Sequence, residues 1–460
     1  MKALDRPAAV CPQPVSLDLL LAARDDRLKR RETLRLESGC PVITMTLNIP
    51  GPVKRTPLSA FFFDREKRQL ERILEGLGGR LAGEDVSYSP TGDEAHLALE
   101  GLEAGSLKAL TVSLEEEGPA SRLLDLDVYD REGRPLGRKD LGLPLRTCLL
   151  CSRPAAQCGS RGLHDSGELA KETVRLLEDY AKNILADHAA ALALEASSFE
   201  LMVHPKPGLV TFESSGSHKD MDRFTFIGSQ SLFSSYYREC FRAGWEGETA
   251  GSRLRLAGVM AEGAMRDKTG GVNTHRGWIF ISGILLASMG AVCRRLLSSA
   301  GQPEDPAIFL QQGILRLAGE LENTLGQQPW SVLLEERLGD PPAGVRLEAL
   351  RGFPSLFATG LPVFLQSAKE DPNRAGQRTL LALMAAVHDT TLIKRGGEGR
   401  AAAIRRNLAD RFEGDPVQGA LALTDRELDV LVKELGIIFE EEALSAAAPP
   451  ALKASSSKII

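Results

Sequence analysis

Several short strings in this chain group side chains that could do chemistry. Asp125-Leu126-Asp127 spaces two carboxylates by two residues. In an extended strand that spacing puts both on one face, where they repel each other unless a cation such as Mg²⁺ lies between them. Nucleotidyl-transfer chemistry uses such a pair to hold metal against a triphosphate; the plain alternative is the solvated edge of a hairpin. Cys148-Leu149-Leu150-Cys151, then Cys158 and His164, offers three thiolates and an imidazole. That set can close a tetrahedral, structural Zn²⁺ site, or it is a reduced thiol cluster without metal. Asn48-Ile49-Pro50-Gly51-Pro52-Val53-Lys54 ends a strand in a rigid turn, with Lys54 and Arg55 as phosphate contacts or as ordinary surface cations.

The second half carries three more strings. Glu200 precedes the turn His204-Pro205-Lys206-Pro207-Gly208-Leu209-Val210, and Ser214 to Asp222 then packs a hydroxyl, an imidazole, an amine and two carboxylates into a few residues. Asp220 and Asp222 could coordinate Mg²⁺ and Lys219 could meet phosphate; Asp222 is equally placed to cap a helix. Lys268-Thr269-Gly270-Gly271-Val272-Asn273-Thr274-His275-Arg276-Gly277 opens directly into an apolar helix. Gly270 and Gly271 let backbone approach a ligand, the helix N-terminus favours an anion, and Asn273, His275 and Arg276 add neutral, titratable and fixed-positive groups. The segment from His388 to Gly397 ends a helix in a cationic, Gly-rich loop, where Asp389 and Arg395 complete a site or simply complement the helix dipole.

These side chains need elements to hold them. Residues 42–49 are β-branched and short, as strands are, and stop at Pro50. Residues 66–77 read as an amphipathic helix, 107–114 as a second strand, and 123–129 as a third that turns at Asp130-Arg131-Glu132-Gly133 and returns through Leu136. Beyond residue 165 the strand signal fades. Residues 168–196, 224–243, 253–266, 278–300, 307–323 and 379–394 have helical spacing or Ala/Leu-rich composition. The expected architecture is multidomain: an α+β domain over residues 1–170, an all-α domain over 171–445, and a disordered tail over 446–460.

Composition bounds the function. The 460 residues are 43% hydrophobic and 26% charged, an ordinary globular balance. A net charge of −6 argues against a protein that coats nucleic acid. The uncharged stretch 277–293 is short for a membrane span and reads as a buried helix. Seven cysteines and no recognisable export signal predict a reducing, cytoplasmic setting with no membrane partner.

In the first half, Arg24-Asp25-Asp26-Arg27, the Asn48–Lys54 turn, Leu124-Asp125-Leu126-Asp127-Val128 and Arg146-Thr147-Cys148-Leu149-Leu150-Cys151 with Ala155-Ala156-Gln157-Cys158 stand in an order that resembles apo-citrate lyase phosphoribosyl-dephospho-CoA transferase. The resemblance implies transfer of a phosphoribosyl-dephospho-CoA group to a serine of the citrate lyase acyl carrier protein, with release of pyrophosphate. In the second half, Lys206-Pro207-Gly208-Leu209-Val210, Gly216 to Asp222, Gly270 to Gly277 and Asp389 to Gly397 resemble triphosphoribosyl-dephospho-CoA synthase. That resemblance implies ATP and dephospho-CoA as substrates and adenine as a product, so the second half would make the donor that the first consumes. It implies Asp220, Asp222, His275 and Arg276 as catalytic residues with Glu200 and Asp389 behind them, and Lys206, Lys219, Gly270, Gly271, Asn273, Asp389 and Arg395 around the substrates. A non-catalytic, zinc-containing scaffold that binds CoA-like ligands is the reading of a different class.

The chain departs from the synthase pattern at its last helix. Synthase relatives end on Ser-Pro-Gly-Gly-Ser-Ala-Asp-Leu-Leu, where this chain has Ile438-Phe439-Glu440-Glu441-Glu442-Ala443-Leu444. Codons for Gly-Gly-Ser-Ala-Asp read one base later give Glu-Glu-Ala-Leu, the residues at 441–444; simple divergence is the alternative. Either origin predicts an incomplete pocket wall and weakened synthase activity.

Overall fold

The structure, a computed structural model, describes residues 12–247, 250–298, 305–324, 344–369, 371–387 and 398–445. It divides into two compact units. The first runs to Ile184 and takes in Arg294–Pro303; the second holds the rest.

The first unit contains α1 (Leu17–Ser38), β1 (Val42–Leu47), α2 (Pro57–Gly76), β2 (Arg80–Ser87), β3 (Glu94–Glu100), α3 (Ala104–Glu116), β4 (Leu124–Tyr129), β5 (Pro135–Leu136) and α4 (Ala155–Arg161). The strands form one antiparallel sheet in the order β2-β3-β1-β4-β5. Register gives it two unlike faces. Ile43 sits opposite Leu97 and Val128, and Met45 opposite Ala95 and Leu126, so these side chains share the apolar face. There Phe62, Phe63, Leu70 and Leu74 of α2 and Leu107 and Val112 of α3 complete a buried core. Thr44 sits opposite His96 and Asp127, and Thr46 opposite Asp125, so the other face is polar. Arginines of α1 meet that face: Arg27 and Arg30 pair with Glu94, and Arg30 also with Asp85.

Residues 107–114 are helical, against the expectation of a strand. The buried positions Leu107, Lys108, Thr111, Val112 and Glu115 recur at helical spacing; Thr111-Val112 carries the β-branched signal that misleads. β2 and β3 went unanticipated. α2 starts nine residues before the predicted 66, where Thr56 and Ser59 form a reciprocal capping box ahead of Pro57. The outer edge of β4 is closed by side chains: beyond the two residues paired with β5, Lys108 Nζ donates to Leu126 O at 2.9 Å, and Leu126 N donates to Glu115 Oε1 at 3.0 Å.

The helix α5 (Ser166–Met202) leads into the second unit, whose described residues form helices and loops with no strand: α6 (Arg223–Gln230), α7 (Ser234–Glu246), α8 (Ala250–Lys268), α9 (Arg276–Ser298), α10 (Pro306–Thr324), α11 (Val345–Leu350), α12 (Leu361–Ser367), α13 (Pro372–Ala386), α14 (Glu398–Arg411), α15 (Pro416–Ala422) and α16 (Asp425–Ser445). The single helix expected over 224–243 is two. The chain breaks between Gln230 and Ser234, where Phe233 buries its ring against Tyr236 and Tyr237. α9 is long and apolar enough to cross a membrane by length and composition. Its inner face is seated on α7: a Cβ on Gly244 would lie 1.8 Å from Ala287 O, and one on Gly290 2.1 Å from Phe241 O. Leu381, Ile404, Leu408, Phe412, Leu428, Leu431 and Leu435 join α13, α14 and α16 in a separate core. The expected tail at 446–460 and the loop at 388–397, with Asp389 and Arg395, lie outside the described residues.

Candidate active sites

In the first unit the candidate residues Asp125 and Asp127 lie on the polar sheet face. Period-two alternation along β4 sends Asp125, Asp127 and Tyr129 to one side, and β1 and β3 place Thr44 and His96 in the same row. Asp127 is solvent-exposed but lies low among its neighbours, and partial desolvation together with Asp125 beside it holds its carboxyl above the ordinary range. The Arg31 guanidinium lies 3.7 Å from the centroid of the Tyr129 ring. His96 is fully buried, bonded through Nδ1 to Thr44 Oγ1 at 2.9 Å, and burial pushes it down to about 4.

The turn after β1 is fastened internally. Asn48 N donates to Leu123 O at 2.8 Å, and Lys54 Nζ folds back onto Ile49 O at 2.7 Å. Arg55 pairs with the buried Asp93 at 2.5 Å. Lys54, a sequence candidate for phosphate, is thus committed to its own turn.

Arg146 links Asp125 to the cysteine segment. It donates from Nη1 to Asp125 Oδ1 at 3.3 Å and from Nη2 to the carbonyls of Arg122 and Leu124. Next to it, Cys148 N bonds Arg153 O at 2.7 Å and Ala155 N bonds Arg146 O at 2.8 Å, closing a knuckle. Arg122 donates to the carbonyl of Cys148. The ligand atoms of Cys148, Cys151, Cys158 and His164 all lie within 4.8 Å of one another, with Cys151 Sγ 3.6 Å from Cys158 Sγ and 3.3 Å from His164 Nε2. Those separations fit a tetrahedral ion with Zn–S near 2.3 Å and Zn–N near 2.0 Å.

In the second unit α6 joins the two polar strings. Asp222 caps its start, accepting from Thr225 N at 2.9 Å, and these bonds hold its carboxyl below the usual range. Two turns on, Ser229 Oγ lies 2.7 Å from His275 Nδ1 and accepts from Thr274 Oγ1 at 2.9 Å. His275 is buried, tilted against Phe226 and edge-on to Phe233, and burial pushes it down to about 4, so it is a neutral imidazole. Asn273 Oδ1 accepts from Arg276 N at 3.1 Å and caps α9, while Gly270 and Gly271 adopt positive φ in the loop before it. Arg276 remains half-exposed, with Nε 3.4 Å from Glu262 Oε2. Lys219 and Asp220 are exposed. Lys206 is buried and spent on Glu200, donating to its backbone O at 2.6 Å and to its carboxylate. The turn around it is clamped by α13: Asn373 exchanges two bonds with His204, and Gln377 donates to Pro205 O. Where the chain departs from the synthase pattern, α16 continues to Ser445 and the Phe439 ring sits against Gly208, at a distance that leaves no room for a Cβ there.

Sequence reasoning missed Arg31, Thr44 and His96 in the first site, and Ser229, Thr274, Glu262 and Asn373 in the second. Thr274 stands inside the Lys268–Gly277 string without being singled out there, and only register and helix packing bring the others in.

Comparison with known proteins agrees with both halves. A family model described as apo-citrate lyase phosphoribosyl-dephospho-CoA transferase matches residues 15–180, and one described as ATP:dephospho-CoA triphosphoribosyl transferase matches residues 186–437. Protein CitXG of Haemophilus influenzae is 32% identical over 395 residues, 83% of each chain. Protein CitXG of Leuconostoc mesenteroides subsp. cremoris is 29% identical over 407 residues, 83% of this chain and 84% of its own. A probable apo-citrate lyase phosphoribosyl-dephospho-CoA transferase of Vibrio cholerae is 31% identical over 167 residues, 36% of this chain and 94% of its own. The resemblance seen in the ordered motifs is borne out: the chain belongs to the family of fused transferases that joins an apo-citrate lyase phosphoribosyl-dephospho-CoA transferase to an ATP:dephospho-CoA triphosphoribosyl transferase, enzymes of prosthetic group synthesis for citrate lyase.

Proposed function

We propose that this chain makes triphosphoribosyl-dephospho-CoA from ATP and dephospho-CoA with release of adenine, and then transfers phosphoribosyl-dephospho-CoA to a serine of the citrate lyase acyl carrier protein with release of pyrophosphate. The observation that carries this reading is the pair Asp125 and Asp127, side by side on the polar sheet face. We assign transfer to a domain over residues 1–170 and synthesis to one over 171–445, both in the cytoplasm.

In the transfer reaction the serine hydroxyl attacks the α-phosphorus, and the bond from that phosphorus to the oxygen bridging the β-phosphate breaks. Asp125 and Asp127 would hold Mg²⁺: two adjacent carboxylates, one with a raised proton affinity, fit a divalent cation. When bound, the ion supplies charge neutralisation on the triphosphate. Arg146 orients Asp125 through its 3.3 Å bond. Cys148, Cys151, Cys158 and His164 would hold a structural Zn²⁺ that keeps the Arg146 knuckle closed.

In the synthesis reaction the ribose 2′-hydroxyl of dephospho-CoA replaces adenine at the ribose carbon of ATP, through an oxocarbenium-like state. Asp220 and Arg276, whose side chains reach solvent, are our candidates for meeting the reacting groups, with Lys219 on the triphosphate. Asp222, Asn273 and His275 act as positioning residues, because Asp222 Oδ1, Asn273 Oδ1 and His275 Nδ1 are engaged at the starts of α6 and α9. Lys206 and Glu200 shape the turn beside them. Asp389 and Arg395 remain candidates from the sequence.

The test is incubation of the full chain with ATP and dephospho-CoA, followed by addition of the carrier protein. Free adenine in the first step and the mass gain of one phosphoribosyl-dephospho-CoA in the second are expected. Ligand binding with neither product would favour the scaffold reading.

A further inference from the structure

We propose that Arg31 is a phosphate-binding residue of the transfer site, holding the β- and γ-phosphates of the donor as they depart as pyrophosphate. The proposal rests on the transfer reading above and adds a residue to it.

Charge makes such a residue necessary. A triphosphate brings several negative charges to a face that already carries Asp125 and Asp127, and one divalent ion cannot balance them all. The face must therefore supply fixed positive charge. Most cations around it are already spent. Arg27 is paired with Glu94, Arg30 with Glu94 and Asp85, Arg55 with Asp93, and Arg146 with Asp125. Lys108 is committed to a backbone carbonyl and Lys54 to its own turn. Arg31 forms no ion pair among the described residues, although its charge acts on Asp127, Tyr129 and His96.

Its geometry suits the task. Arg31 Cζ lies over the Tyr129 ring, 3.7 Å from its centroid. With the ring on one side, the guanidinium has N–H donors to offer in a forked contact to phosphate oxygens. Arg31 Nε is buried and has no hydrogen-bond partner, and in the same row His96 Nε2 is buried and equally unpartnered. A buried donor without an acceptor is costly, and an oxygen-rich ligand relieves it. Tyr129 and Asp127 lie two residues apart on the same face of β4, so the cation stands beside the carboxylate pair. In the step itself, the P–O bond from serine forms as the α–β bridging bond breaks. The electron pair leaves on the bridging oxygen of pyrophosphate, where Arg31 meets the growing charge, and the serine proton passes to solvent.

The experiment compares the full-length wild type with Arg31→Gln and Arg31→Lys, using purified donor, carrier protein and Mg²⁺, with inorganic pyrophosphate as the probe. Product inhibition by pyrophosphate should weaken roughly 10-fold or more in Arg31→Gln, and kcat/KM for the donor should fall about 100-fold. Arg31→Lys, which keeps the charge without the fork, should lie between. Arg27→Gln, which breaks an ion pair instead, should lower the melting temperature without changing inhibition by pyrophosphate. An unchanged pyrophosphate inhibition constant in Arg31→Gln overturns the proposal; if that variant does not fold, wild-type inhibition in Arg31→Lys overturns it equally. A wild type that never modifies the carrier sinks the transfer reading itself and takes the proposal with it.

Discussion

Arg146 Nη1 lies 3.3 Å from Asp125 Oδ1, and Arg146 is also the residue whose carbonyl closes the cysteine knuckle by accepting from Ala155 N. A carboxylate of the proposed transfer site is therefore held by the segment that carries the metal-like cluster. We predict one zinc per chain in reduced protein, measured by elemental analysis. Cys151→Ser should lower zinc content and cost at least ten-fold in carrier modification, through loosening of Arg146. Full activity in metal-free protein would contradict this.

The two reactions should be separable. Asp125→Asn with Asp127→Asn should abolish carrier modification while adenine release continues. Asp220→Asn with Arg276→Gln should reduce adenine release by roughly 100-fold, and supplied triphosphoribosyl-dephospho-CoA should then restore carrier modification. His275→Ala with Arg276→Ala should have the same pattern with an added loss of stability, because His275 is buried. Loss of both reactions in either folded variant would refute two independent sites.

Stability of the first unit should fall on acidification. His96 is pushed to about 4 by burial, against an ordinary value near 6.5. Between those values the unfolded chain binds a proton that the folded one refuses, so the contribution is intact above pH 6.5 and shrinks as pH drops toward 4. At pH 5 the loss from this one group is about 2 kcal/mol. Hydrogen exchange of β1 and β3 between pH 7 and pH 5 should show it, and His96→Gln should flatten the profile.

Gly244 and Gly290 set the closeness of α7 and α9. Since a Cβ at Gly244 would stand 1.8 Å from Ala287 O, Gly244→Ala must push the helices apart. The expected cost is about 2–3 kcal/mol, visible as a lower melting temperature by fluorescence of Trp245, which lies on α7.

Phe439 against Gly208 offers a test of the departure from the synthase pattern. Replacing residues 438–444 by the family's Ser-Pro-Gly-Gly-Ser-Ala-Asp should raise adenine release several-fold, measured by chromatography. No gain would mean that this helix end is not part of the pocket wall.

The parts of the sites that were legible in the sequence are the local ones. Asp125 and Asp127 declare themselves because strand period alone puts them together, and Cys148 to His164 because one knuckle and one short helix span them. Arg31 does not: it lies far from Tyr129 along the chain and reaches its ring only because α1 meets the polar sheet face. His96 was hidden because β3 reads Glu94-Ala95-His96-Leu97-Ala98-Leu99-Glu100, with no β-branched residue, and its pairing with β1 is what makes it a strand. α3 was misread for the converse reason, since Thr111-Val112 favours a strand locally while the buried face recurs at helical spacing. Asp222, Asn273 and His275 were found as polar groups in the right places, but their partners Thr225, Arg276 N and Ser229 come from helix starts and packing.

The closed edge of β4 bears on how the protein behaves at high concentration. A sheet ends in backbone groups that recruit further strands, and that recruitment is a common route to aggregates. Here the next groups in line after β5, Leu126 N and O, are already occupied by Glu115 and Lys108, and both side chains are buried. A neighbouring molecule that docks there finds no free donor or acceptor at Leu126 and would have to displace Lys108 and Glu115 first. Growth by strand addition is blocked at that position by two side chains of a helix.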